Sequence, residues 1–306
     1  MTLNLPSPQL QISIREEWNE NLETRDQYLE HIKDWLRRQP HLPDDWGDVE
    51  LLNFLRSCYF SLERTKQKID RYFTVRAAIP EFYRDWDIKR PELVAITSVG
   101  QACAMPKLTP EGRRVMILRG FDKNMETPNV THFIRIAFMF ADIRIKEESH
   151  GVSGDVYIFD ASILTAGHFA KAANPVIFKK FLFCLKAYPI KVKEIHVVNA
   201  NSMVDIVINW IMLLVKEKYR KLVHVHTSIE TLHDYIPKDV LPEEYGGTCG
   251  SSKNFTEQWI KKLEAHTDWF KKRENFKADE SKRLGLPIDY DDLFGVDGSF
   301  KKLAID

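Results

Sequence analysis

The side chains that could carry chemistry in this 306-residue chain are few and poorly grouped. Ser153 sits in GVSG (151–154), which lacks the G-x-S-x-G spacing of a nucleophile elbow and precedes a strand-like run instead of following one. Gly246-Gly247 lies in a loop with no helix N-terminus behind it to hold a phosphate. His224 and His226, two apart, share one face of a strand, but no third ligand follows at a metal-binding spacing. Asp289, Asp291 and Asp292 lack the glycine and terminal glutamate of a calcium loop and read as a solvated turn. Cys58, Cys103, Cys184 and Cys249 are far apart and form no C-x-x-C. These residues predict no enzyme, no metal site and no cofactor.

Apolar surface is abundant instead. Phe133, Phe138, Phe140, Phe178, Phe181, Phe183, Tyr188 and Trp210 fall between residues 133 and 210. They either fill a core or line a large apolar cavity, and composition does not separate the two. Between Met203 and Val215 only Asp205 and Asn209 are polar. Spaced by four, they share one helix face, which Lys216 extends. Such a helix is buried all round or faces something other than water. The run is too short to span a bilayer, which takes about 20 residues.

Lysine plus arginine and aspartate plus glutamate balance at 44 each, so no overall field points to nucleic acid. Residues 171–226 differ, with ten basic residues against three acids, a local excess of seven. That excess is a solvated face or a docking surface. The apolar and charged fractions, 44% and 29%, are those of a soluble globular protein. The N-terminus shows no signal-peptide pattern, and a cytosolic protein with free thiols is the expectation.

The elements that must position these residues fall in two parts. Residues 1–90 read as a helical module. Thr24 and Gln27 suggest a capping box before Tyr28, Leu29, Ile32, Trp35 and Leu36, and Pro40 and Pro43 stop that helix. Asp48 is expected to cap a second helix and Ser61 to open a third. From 91 to 252, VMILR (115–119), VYIFD (156–160), IHVVN (195–199) and LVHVH (222–226) alternate with amphipathic segments at 130–147, 168–187 and 202–220. That alternation predicts parallel strands with helices packed on the sheet, and Pro175 splits the second crossover. Residues 253–306 are expected to form a helix over about 255–276 and a tail that packs on the body through Leu293, Phe294, Phe300 and Leu303.

Four segments resemble the CRAL-TRIO family of lipid-binding and transfer proteins, which includes tocopherol and retinaldehyde carriers. They are VELLNFLRSCYFSLERTKQKIDRYFTVR (49–76), VYIFDASILTAGHF (156–169), YPIKVKEIHVVNANSMVDIVINWI (188–211) and LHDYIPKDVLPEEYGGTCGS (232–251). The ending resembles the family's arthropod branch. The resemblance implies an α/β domain whose mostly parallel sheet floors a hydrophobic pocket closed by a mobile gate helix, about 199–221. It implies pocket positions at Phe133, Ala137, Ala141, Asp155, Tyr157, Phe159, Phe183, Tyr188 and Ile195, with Val204, Ile208 and Leu214 from the gate. A strand puts Asp155, Tyr157 and Phe159 on one face. The Asp155 carboxylate then either looks into the pocket, favouring a ligand that donates a hydrogen bond, or sits at the strand's mouth in water.

The resemblance further implies a headgroup-binding basic patch. Lys191 and Lys218 match it, while Cys58 and Leu222 stand at two other basic positions and Arg220 and Lys221 are adjacent to the second. Trp210 and Leu213 are expected to face a membrane. The implied function is a monomeric cytoplasmic carrier of one hydrophobic lipid such as a tocopherol, retinoid or carotenoid, in reversible contact with anionic or phosphoinositide-bearing membranes. The alternative is a phosphoinositide-sensing membrane adaptor without cargo.

Overall fold

In this computed structural model, residues 2–120, 129–215 and 217–288 are described. The chain opens with a helix absent from the sequence expectation, α1 (Pro8–Glu17), which Ser7 caps by accepting from the Leu10 amide at 3.3 Å. Leu29, Ile32 and Leu36 are buried along α2 (Arg25–Arg37), which packs with α3 (Asp48–Ser57) and α4 (Leu62–Ala78). Ser61 opens α4 as its N-cap residue as expected, but the expected side-chain caps do not form. The Thr24 and Ser61 side chains make no capping bond, and Asp48 is itself the first helical residue, behind Gly47. Short helices α5 (Pro80–Tyr83) and α6 (Pro91–Val99) lead to the sheet, each started by a proline whose missing amide costs nothing there.

The sheet runs in the order β1 (Gly100–Leu108), β2 (Arg113–Gly120), β3 (Gly154–Asp160), β4 (Val192–Val198), β5 (Val223–Val225). β1 is antiparallel to β2 and every other pair is parallel. β1, GQACAMPKL, has no β-branched residue, which is why strand propensity misses it. Crossovers are α7 (Val130–Glu147), then α8 (Ala166–Ala172) with α9 (Pro175–Ala187), then α10 (Val204–Met212). The expected break at Pro175 is real, and Asn174 caps α9 by accepting from the amides of Val176 and Ile177. The expected helix at 255–276 is two helices, α11 (Ser252–Ala265) and α12 (Thr267–Arg273). On α11 the buried Trp259 donates to the carbonyl of Ala104 at 3.0 Å and stacks on Phe140.

Beyond α12 the described chain returns to the helical module, where Arg283 forks onto Asp70 at 2.8 and 2.9 Å. The acidic run and tail residues of 289–306 lie outside the described residues. A buried cluster ties the helical module to α7: Arg76 and the Tyr72 hydroxyl each donate to Asp142 at 2.9 Å. Asp142→Ala would leave the Arg76 charge buried without its counter-ion. The expected loss is about 3–5 kcal/mol in urea unfolding, well above that of a surface carboxylate variant.

Candidate functional site

Register sets the composition of one sheet face. Ala104, Met116, Tyr157, Ile195 and Val223 are in line across the five strands, and so are Ala102, Leu118, Phe159, Val197 and Val225. Side chains alternate between faces, so these two rows share a face and the intervening row, Cys103, Ile117, Ile158, His196 and His224, takes the other. Ten apolar positions on one face would ordinarily be covered. Here the half nearest β5 is not, with Phe159 at 39% and Val225 at 45% exposure.

Helix α7 covers the other half. Phe133, Ala137 and Ala141 follow at four-residue steps along one side of it, the first two half-buried. Phe183 is half-buried in α9. Tyr188, expected in the pocket, belongs to the core instead, fully buried and stacked on Phe138 at 4.8 Å with Tyr72 at 5.1 Å.

The gate differs from the expected continuous helix over 199–221. It is the nine-residue α10, a turn, and a 3-10 segment Glu217–Leu222. Val204 is buried at its start, and Ile208 and Leu214 are half-buried. Trp210 does not face outward. It leans on Phe178 and Phe169, with ring centroids 5.3 and 5.7 Å away, and joins the gate to α9 and α8. Leu213, at 81%, and Ile206, at 51%, are exposed apolar side chains of the gate, and Tyr219 of the 3-10 segment is exposed as well. Between gate and β5 opens a cleft of about 600 Å³ walled by Ile208, Trp210, Met212, Leu213, Val223 and Val225, with Asn209 and Arg220 as its polar members. A volume of several hundred Å³ with mostly apolar walls suits a small lipophilic molecule.

Asp155 is neither in water nor available to a ligand. It is 1% exposed, and Arg144 of α7 forks onto it at 2.7 and 2.9 Å. Arg144 also donates to Glu148, as does Arg114, both at 2.9 Å. Burial alone would raise the Glu148 carboxyl, but the two guanidiniums outweigh it and hold it below its ordinary value. The Tyr157 hydroxyl donates to the Asp155 carboxylate at 3.4 Å. Next to this network a cavity of about 40 Å³, lined by Ala141, Arg144 and Asp155 among others, has room for one or two waters. The sequence identified Asp155 without Arg144, because no spacing rule links a helix residue to a strand eleven positions on.

Lys191 is also engaged within the chain. Its ammonium donates to Glu17 at 3.0 Å and to the Tyr59 hydroxyl at 2.6 Å, 4.6 Å from the Trp18 ring centroid. Lys193 donates to the same Glu17 oxygen. Cys58, at one unmatched basic position, is buried, and Lys68 nearby bonds Ser57 Oγ at 3.3 Å. Lys218, Arg220 and Lys221 are exposed on the 3-10 segment, Lys218 over Tyr219 and Arg220 3.5 Å from the Met212 carbonyl. Sequence reasoning missed Glu17 and Tyr59, for which no pattern existed. Lys193 was visible in the basic excess.

The gate's first end rests on a histidine chain. His196 Nε2 lies 3.1 Å from Glu194, its Nδ1 2.9 Å from His226 Nε2, and His226 Nδ1 2.7 Å from Thr231 Oγ. The Ala200 amide donates to the His226 carbonyl. All three side-chain contacts are at hydrogen-bonding distances, and they link β4 to the segment after β5.

Residues 99–247 match the CRAL/TRIO domain and residues 21–93 a Pinta-like UBA domain. An alpha-tocopherol transfer protein-like protein of Homo sapiens is 30% identical over 264 residues, covering 84% of this chain and 75% of the relative. Clavesin-2 of Rattus norvegicus is 24% identical over 243 residues, covering 79% and 74%. The structure of Sfh5 overlays with a TM-score of 0.48 at 14% identity, covering 80% of this chain and 90% of that one. The chain belongs to the CRAL/TRIO family. Among the described residues no helix is long and apolar enough to cross a membrane.

Burial pushes His196 down to about 4 from an ordinary 6.5, against the opposing pull of Glu194. The unfolded chain therefore binds the extra proton first, and stability should fall as pH drops from about 6.5 to about 4. In His196→Phe, which keeps an aromatic ring there, thermal unfolding followed by circular dichroism should show a shallower fall over that window.

Proposed function

We propose that the protein is a carrier that holds one lipophilic molecule against the apolar sheet face and exchanges it at membranes by moving the 199–222 segment. The observation that carries this reading is the two-row apolar floor, left half-covered beside a cleft of about 600 Å³. Apolar area left in water on this scale favours a bound apolar partner at about 25 cal/mol per Å². The name of the human relative, which refers to tocopherol transfer, supports a lipid cargo. Ala137 and Ala141 bring no hydroxyl to the pocket, and Asp155 is neutralised by Arg144. The cargo is therefore held mainly by apolar contact.

Leu213 and Ile206 are the side chains offered to the bilayer, each contributing about 1.5–3 kcal/mol when buried. Lys218, Arg220 and Lys221 add about 1 kcal/mol apiece on an anionic leaflet. Against the entropy of association this gives weak, reversible docking, which suits a shuttle. No arrangement of nucleophile and base in the site points to chemistry on the cargo.

Organic extraction of the purified protein followed by mass spectrometry should yield about one lipid per chain. An empty protein whose cleft does not take up a lipid probe would instead support a membrane adaptor without cargo. Ile206→Asp, on an exposed gate side chain that does not line the cleft, should slow transfer of bound lipid between vesicles by about tenfold or more while leaving cargo affinity within about twofold. Trp210→Ala, which unties the gate from α8 and α9, should act the other way round and weaken retention.

A further inference from the structure

The basic end of the domain already contains an anion, supplied by the chain itself. Register places Lys193 and Lys221 two residues ahead of the Ile195–Val223 pair on neighbouring strands, so the start of β4 and the end of the gate segment converge. Lys191, Lys193, Lys218, Arg220 and Lys221 thus lie at one end of the sheet. Glu17 reaches this end from α1. One of its oxygens accepts from both Lys191 and Lys193, and Lys191 is also held by the Tyr59 hydroxyl.

Two features make this arrangement more than a surface ion pair. Glu17 is the last residue of α1, where the helix dipole disfavours a carboxylate, so the lysines and not the helix hold it there. Tyr59, which completes the clamp, has a left-handed backbone at φ 54°, as does Phe60 at 55°. Paired non-glycine residues in that region persist only where the surroundings impose them. The clamp is also open to solvent, with the side chains of Glu17, Lys191 and Lys193 at 27%, 32% and 22% exposure. Helix α1 does not depend on Glu17 for its place. Ile14 is fully buried, and Trp18, itself buried, donates to the Val152 carbonyl at 2.9 Å.

We propose that Glu17 is a built-in occupant of an anion seat formed by Lys191, Lys193 and Tyr59, and that a phosphomonoester lipid headgroup displaces it when the protein docks. This rests on the membrane-docking reading above and adds a regulator to it. The carboxylate carries one charge where a phosphomonoester carries about two, so the headgroup outcompetes Glu17 only where such lipids are present. The side chain swings out while Ile14 and Trp18 keep α1 in place. Burial would lower the Lys191 ammonium and raise the Glu17 carboxyl, yet their contacts shift both the opposite way. That agrees with a seat adapted to an anion.

The test is co-sedimentation of the full chain with phosphatidylcholine vesicles, alone or doped with phosphatidic acid or with phosphatidylserine. Glu17→Gln should bind phosphatidic-acid vesicles about fivefold or more tighter than wild type, with a smaller gain on phosphatidylserine and none on phosphatidylcholine. The gain should vanish in the triple variant that also carries Lys191→Gln and Lys193→Gln. Equal or weaker binding by Glu17→Gln overturns the proposal. If the lysine double variant alone still lowers binding, the docking reading survives that failure; if it binds like wild type, both fall. Glu17→Asp, too short to reach both lysines, should give a partial gain, and no gain there alongside none in Glu17→Gln overturns the proposal independently of any loss of fold in one variant.

Discussion

The apolar sheet face that the helices do not fully cover is the constraint on which the rest of this molecule turns. Two rows of five residues run across all the strands with no polar side chain except the Tyr157 hydroxyl. On the opposite face the cover is complete enough to bury His196 entirely and Ile117 and Ile158 with it. A sheet face of this composition needs cover, and α7 meets it at β2 and β3, where Arg144 reaches Met116 and Asp155. What remains falls to α10, which is nine residues long and meets α8 and α9 through one tryptophan. A short gate helix thus lies beside a strongly apolar sheet face. That mismatch favours a third body, a lipid, between them.

The polar end of the same face obeys the opposite rule. Charges brought under a helix must be satisfied by one another, because removing one partner leaves the other buried and unpaired. Arg144, Asp155, Glu148 and Arg114 form a closed set in which each carboxylate accepts from an arginine, and the Tyr157 hydroxyl reaches Asp155. Because the set is balanced, it presents little net charge to the pocket. On the proposed carrier reading the apolar floor would select the cargo, while the Arg144–Asp155 pair ties α7 to β3.

Legibility in the sequence followed the range of the interaction. Four parallel strands were visible because Val and Ile runs report burial on both faces locally, and α7 and the Pro175 break were visible for the same kind of reason. β1 escaped because Ala, Cys and Met carry weak strand propensity, and its place at the sheet edge is set by pairing with β2. The helix caps were misjudged because several residues near each boundary could serve, and backbone geometry selects among them. Candidate pocket residues were readable as positions, but their partners were not. Asp155 was expected to face a ligand or water, and Arg144 took both oxygens. Trp210 was expected to face a bilayer, and Phe178 and Phe169 drew it inward. Both depend on where a second element lands, which no period in the sequence encodes.

The two ends of the gate segment suggest how it can move without unfolding the domain. At the first end Asn199 adopts φ 53°, a conformation asparagine tolerates, and donates to Asp160 at 3.0 Å. Asn201 donates to the Ala161 carbonyl at 2.8 Å, so the segment leaves β4 through side-chain bonds to the β3 end and not through core packing. At the second end the 3-10 segment holds exposed Lys218, Arg220 and Lys221, with the weak Arg220 contact to the Met212 carbonyl closing the turn. Segments with few buried apolar contacts and exposed hydrogen bonds open at far lower free energy than the domain as a whole. The strands on either side differ in kind: β4 is paired along both edges, whereas β5 is three residues long and paired on one. The proposed gate motion would therefore fall between a strand paired on both edges and a short edge strand, and the cleft of about 600 Å³ lies at that edge. A lipid entering there would meet Val223 and Val225 first, then Ile195 and Tyr157, crossing the apolar floor from its open side to its closed one.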